Sequence, residues 1–206
     1  MSSKAETSHD ILLQRNEDRL LDFARNDRTE KTVGALVQSL GRTFMNQSSA
    51  ASIADPADVG SIDAIINAAY EVISGPAGKK RDWNRERSLF IPGARLMPTI
   101  KEPGGTVSDD KVGPQMLDVE GFIERSTSHF EKNGFFEKEI ARRTEEFGHI
   151  AHVWSTYESR HNANDAEPFM RGINSIQLFY DGKRWWIVSI YWQHESPEHP
   201  IPGKYL

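Results

Sequence analysis

The chemistry this chain could do rests on its histidines and one tyrosine. The segment "SIYWQHESPEHPIPGKYL", residues 189–206, holds His194 and His199 among Glu195 and Glu198. A zinc motif of the H-E-x-x-H kind needs a helix that turns both histidines to one face. Here four residues separate the two, and Pro197 forbids a regular helix. The inverted H-x-x-E-H form also misses by one residue, so no metal is expected. His149 and His152 lie three apart in a segment that reads as a strand, where such positions point to opposite faces. They cannot share a metal either. His152 is then the best-placed general base, because an imidazole titrates near neutrality. A hydrogen-bonded structural histidine is the competing reading. Tyr70 falls on an apolar helix face; a buried phenol needs a polar partner, and a ligand is one candidate.

Composition removes other chemistries. The 206 residues include no cysteine, which excludes disulfides, thiolate zinc sites and a cysteine nucleophile. The net charge is −5. The one basic cluster, "GKKRDWNRER" at 78–87, contains Asp82 and Glu86 and reads as a solvated helix start, so no nucleic-acid partner is expected. No apolar run approaches the roughly 18 residues of a membrane span. The start, "MSSKAETSHDILLQRNEDRLLDF", is too charged for a signal peptide, and a cytoplasmic location is expected. The segment "TVGALVQSLGRTFMNQSSAASIAD" has the outline of an export signal, but Gln38, Ser39, Gly41 and Arg42 interrupt it.

The elements that position these residues can be read from periodicity. Residues 1–55 form an appendage, with helices over 9–25 and 30–45 and the small-residue linker "NQSSAASIADPAD". The main domain spans 56–206. Ile62, Ile65, Ile66, Ala69, Tyr70 and Ile73 share one helix face, with Ser61 as cap and Gly75-Pro76 as stop. Trp83, Arg87 and Phe90 suggest a short second helix, and "ARLMPTI" (94–100) a strand. The loop "EPGGTVSDDKVGP" leads to a third helix capped by Asp118 and closed at Asn133-Gly134. Strands follow over 135–147, 150–160, 169–180 and 184–193, with Asp181-Gly182 as a two-residue hairpin signal. Helix, helix, strand, helix and four strands make an α+β plan, an antiparallel sheet with helices on one face.

This order, with its closing hairpin "DGKRWWIVSIYWQ", resembles the nuclear transport factor 2-like superfamily over roughly residues 56–196. The resemblance implies a cystatin-like cone: a strongly curved antiparallel sheet wrapped around helices, enclosing a pocket, often dimeric through the sheet. The superfamily includes isomerases, dehydratases, hydrolases, polyketide cyclases and plain assembly domains, so the site must decide the function. Tyr70 lies about where ketosteroid isomerases carry an oxyanion-donating tyrosine. Their base would fall in "ARLMPTI", where Met97 and Pro98 stand, and neither can take a proton. Their second donor, an acid, would fall near Asn174 or Ile176. The aspartates of the epoxide hydrolases and of SnoaL-like cyclases have no counterpart in "WWIVSIYW".

Alternation splits the last strand into Trp186, Val188, Ile190, Trp192 and Trp185, Ile187, Ser189, Tyr191, Gln193. The resemblance places the first set inside the cone and the second on the outer side, open to a second subunit. Either face of 150–160 could line the pocket. Glu137, Lys138, Glu139, Arg142, Arg143, Glu145 and Glu146 read as a solvated, ion-paired edge. The expected ligand-binding set is Tyr70, Trp83, Arg95, Asn174, Trp186, Ile190 and Trp192, though core filling for each tryptophan and a solvent-facing Arg95 compete. The leading reading is a homodimer that binds a small apolar molecule in an aromatic pocket, without a cofactor. The alternatives are a SnoaL-like lyase or isomerase using Tyr70 and His152, and an interaction module without catalysis.

Overall fold

The computed structural model describes residues 53–99 and 115–206. The helices expected over 9–25 and 30–45, most of the linker and the loop between 101 and 113 lie outside these residues.

The helices begin where capping chemistry allows. α1 (Pro56–Val59) carries proline in its first turn, and Asp55 accepts from the Ala57 amide. α2 (Ile62–Ile73) starts at Ser61, whose Oγ accepts from the Ala64 amide at 3.1 Å. Its buried face carries Ile65, Ile66 and Tyr70. Arg81 finishes it. The guanidinium donates to the carbonyls of Ile73, Gly75 and Lys79 at 2.7–2.8 Å, closing orphan acceptors at a helix end. Arg81 is therefore buried, a correction to the solvated helix start read from "GKKRDWNRER". α3 (Trp83–Leu89) is capped by Asp82, and α4 (Val119–Lys132) by Asp118.

Five strands form: β1 (Phe90–Pro98), β2 (Phe136–Phe147), β3 (Ile150–Arg160), β4 (Met170–Tyr180) and β5 (Trp185–His194). The last four follow the expected segments closely, whereas β1 starts four residues before the expected 94 and takes in Phe90, which the sequence places on the short second helix. Their order in the sheet is β1-β5-β4-β3-β2. The meander β2 to β5 is antiparallel, whereas β1 runs parallel to β5. A parallel pair needs a crossover. Here the chain leaves β1 at one edge of the sheet and reaches β2 at the other by way of α4. The sheet is curved and open, with the helices on its inner face. The turn between β4 and β5 has four residues, Asp181 to Arg184, rather than two. The Asp181 carboxylate accepts from the Lys183 and Arg184 amides, and its own amide donates to the Arg184 carbonyl.

Two bulges decide which side chains point inward. In β2 the register slips between Glu139 and Ala141. In β5 it slips between Ser189 and Ile187, leaving Val188 unpaired. Each reverses the alternation beyond it. The core gathers Ile65, Ile66, Leu89, Leu96, Val153, Ile176 and Ile187. After β5 the tail returns over the outer face of β3. Thr156 Oγ1 donates to the Tyr205 carbonyl at 2.6 Å, and Tyr205 stacks on Trp154.

Candidate functional site: a cavity between helices and sheet

Between α2, α3, α4 and the inner face of the sheet lies a cavity of about 180 Å³. Its apolar wall includes Ile73, Leu96, Phe122, Phe130, Ile190 and Trp192. Phe122 meets Trp192 edge-on at 6.3 Å. Tyr70, Glu86, Thr99, Arg125, His129, Glu137, Tyr157, Asn174 and His194 bring polar atoms to the same wall.

The Tyr70 hydroxyl lies 2.6 Å from Ser155 Oγ. Ser155 has a single proton and spends it on Glu139 Oε1 at 2.5 Å. It must therefore accept from Tyr70. Asn174 Nδ2 in turn donates to Tyr70 Oη at 3.0 Å. The hydrogen bonds run Asn174 to Tyr70 to Ser155 to Glu139, and Arg142 holds Glu139 from the far end at 2.6 Å. Burial, and then the charge of Glu137, push the Tyr70 phenol up. Its proton is committed to Ser155, so the phenol the sequence offered as an oxyanion donor is already occupied.

Glu137 is one of two acids on this wall. Its Oε2 accepts from Ser159 Oγ at 2.8 Å. Burial raises its carboxyl to about 7, against the hydrogen bonds from Ser159 and Asn174 that favour the ionised form. It keeps some accessible surface because it faces the cavity. β2 is a sheet edge with ion pairs at Lys138 and Arg142 and with Arg143, Glu145 and Glu146 exposed, but the solvated reading fails for Glu137 and Glu139. Glu137 and Glu139 turn inward before the bulge, while Lys138 and Ile140 are exposed; beyond Arg142 every residue of the strand is exposed. Alternating charge along one strand cannot reveal this, because both faces carry charged residues.

Three more residues of the wall each carry a buried polar atom with no hydrogen-bond partner among the described residues: Glu86 Oε2, Thr99 Oγ1 and Tyr157 Oη. Glu86 is 2% exposed, and burial alone lifts its carboxyl to about 8. Tyr157 is 1% exposed, and burial raises its phenol well above the usual value. Gly172, its partner across β4, makes room for it: a side chain there would strike the Tyr157 hydroxyl and the Gln193 carbonyl. His194 sits at the end of β5, and burial lowers its imidazole to about 4.

Four of the expected residues meet at this cavity: Tyr70, Asn174, Ile190 and Trp192. The other candidates lie elsewhere. Trp83 stacks on Phe130 at 6.2 Å, behind the wall. Arg95 is exposed, its guanidinium turned back onto the Gly93 and Ala94 carbonyls at 2.9 and 3.0 Å. Trp186 points to the outer face, where its indole donates to Asp181 at 2.7 Å and carries the Arg184 guanidinium 3.6 Å above it. The bulge at Val188 is the reason: it puts Trp185 and Ile187 on the inner face with Ile190 and Trp192, and Trp186 outside. His152 is on the outer face too, half-buried, 2.9 Å from Ser175 Oγ. It is an odd number of residues from Ser155, which holds Tyr70, so the sheet separates it from the cavity.

In class this is an α+β cone around a cavity. No protein-family profile and no curated protein matches the sequence. Among solved structures, LinA is 10% identical over 71% of this chain and 91% of its own, with a TM-score of 0.49. A protein of cystatin-like fold and unknown function from Nostoc punctiforme is 12% identical over 67% and 92%, with a TM-score of 0.45. An NTF-2-like protein of unknown function from Silicibacter pomeroyi is 14% identical over 66% and 94%, with a TM-score of 0.42. These are likenesses of fold and transfer no residue role or activity. Among the described residues no helix is long and apolar enough to cross a membrane, and no three His, Asp or Glu side chains group as metal ligands.

Proposed function

We propose that the domain over 56–206, with 1–55 as its appendage, binds a small, mostly apolar molecule in the cavity. The observation that supports this is a cavity of about 180 Å³ whose apolar wall is interrupted by the Asn174–Tyr70–Glu137 cluster. Apolar contact supplies the affinity and a few placed polar groups the orientation. Titration calorimetry with 2-naphthol, apolar but for one hydroxyl, tests it. Saturable binding is expected, and Ile190→Trp, which fills the space, should abolish it. An inert wild-type protein overturns the reading.

A second reading is a lyase or isomerase in which Glu137 does the proton transfer that the sequence assigned to His152. It is favoured by a cavity-facing carboxyl raised to about 7, a value suited to exchanging protons near neutrality. The Glu137 carboxylate takes a proton from the carbon beside a ligand carbonyl; the C–H pair becomes an enolate whose oxygen is met by a wall hydroxyl. In D2O, NMR should show deuterium entering 2-tetralone faster with the protein. The rate should rise through about pH 7 and be lost in Glu137→Gln. Equal rates in both proteins reject this reading.

A homodimer through the outer sheet face stays in the proposal on narrower ground. Trp185 and Ile187 turn inward and the tail covers Trp154, which leaves Val188 and Tyr191 as the exposed apolar residues of β5. A cytoplasmic location completes the reading.

A further inference from the structure

The three unpartnered atoms are carried by separate elements. Tyr157 is on β3, Thr99 follows β1 near the opposite edge of the sheet, and Glu86 is on α3. Thr99 is fixed by its amide, which donates to the Trp192 carbonyl at 3.1 Å. A buried polar group without a partner loses its hydration with nothing in return, and native structures keep few of them. Three around one cavity point to an occupant that completes them.

Resting on the reading of this cavity as a small-molecule site, we propose that its ligand is a neutral apolar molecule bearing oxygen functions at two separated points. The Tyr157 hydroxyl meets one, and the Glu86 carboxyl meets the other. Thr99 lies on the same wall as a further hydroxyl.

The chemistry of the wall supports a neutral ligand. Burial holds Glu86 and both tyrosines protonated at neutral pH and His129 and His194 unprotonated, so each stays uncharged; Glu137 is balanced between its forms. Arg125, the remaining cation, donates to Gln115, a neutral amide that leaves its charge in place, and the ionised share of Glu137 is the anion that offsets it on the wall. A protonated carboxyl and a phenol each donate one hydrogen bond and accept others, which suits ligand hydroxyls and carbonyls alike. Glu86 stands on α3, whereas Tyr157 and Glu137 stand on the neighbouring strands β3 and β2, so the two anchors come from the helical layer and the sheet.

The test compares 2-naphthol with the 1,5-, 2,6- and 2,7-dihydroxynaphthalenes by calorimetry at pH 7, so that the spacing of two oxygens varies on one apolar frame. At least one diol is expected to bind tenfold or more tighter than 2-naphthol. Glu86→Met and Tyr157→Phe should each reduce that advantage to within about threefold, while Glu86→Gln, which keeps a donor and an acceptor, should retain it. Circular dichroism melting checks that each variant is folded. A 2-naphthol that binds as tightly as every diol overturns the two-point ligand and leaves the pocket standing. A diol advantage lost equally in Glu86→Gln also overturns it, because the anchor would then act by charge. No binding of any probe overturns the pocket reading itself.

Discussion

At the scale of single residues, the site turns on which acids face inward. Glu86 and Glu137 are raised in the folded protein to about 8 and about 7 from 4.5. Between those values the unfolded chain releases protons the folded chain keeps, so stability falls as pH rises. His194 acts in the other sense: lowered to about 4 from 6.5, it makes stability rise with pH across that interval. The two trends oppose one another up to 6.5, and above it only the acids act. Urea denaturation should therefore show stability falling between pH 6.5 and 8, and Glu86→Gln should flatten the slope. A rise with pH in that window would contradict the burial of both acids. Periodicity gave the faces that carry Tyr70, Asn174 and Trp192, the family resemblance turned those faces inward, and these residues do line the cavity. The sequence did not offer Glu86, because a glutamate inside "GKKRDWNRER" carries no signal of burial.

At the scale of elements, one arginine and one glycine hold the cavity's frame. Arg81 joins the end of α2 to the loop before α3 through three short hydrogen bonds to carbonyls. Arg81→Leu removes those donors from buried acceptors and should cost about 3 kcal/mol in chemical denaturation. Gly172 lets β4 pass beside the Tyr157 hydroxyl. Gly172→Ala should cost about 2–3 kcal/mol, since neither the ring nor the Gln193 carbonyl has room to yield. Tyr157→Phe should recover part of that loss. Element bounds were legible because capping residues and alternation are local. The bulges at 140 and 188 were not, because a bulge answers to the neighbouring strand and leaves no mark on its own segment.

At the scale of the molecule, the outer face of the sheet is divided between the tail and open surface. Tyr205→Ala removes the stack on Trp154, worth about 1 kcal/mol, and should shift tryptophan emission to the red as Trp154 meets water. Val188 and Tyr191, 37% and 44% exposed, are the apolar surface of β5 on which the dimer proposal rests. Light scattering at micromolar concentration should give twice the chain mass, and Tyr191→Glu should return it to a monomer. A wild-type monomer at that concentration ends the dimer proposal.

Over the described residues, the sequence by itself determined the elements, their order and the α+β class, because helix caps, amphipathic faces and strand alternation are written in neighbouring residues. It also determined that no cysteine chemistry is open to this chain. Tertiary structure decided the site. Pairing of β5 with β4 turned Trp186 out and Ile187 in. Packing of α2 and α3 against the sheet buried Glu86 and brought Tyr70, Glu137, Tyr157 and Asn174 to one wall. Burial and the company of distant residues set a carboxyl's charge, and neither is a property of the stretch of chain in which it stands.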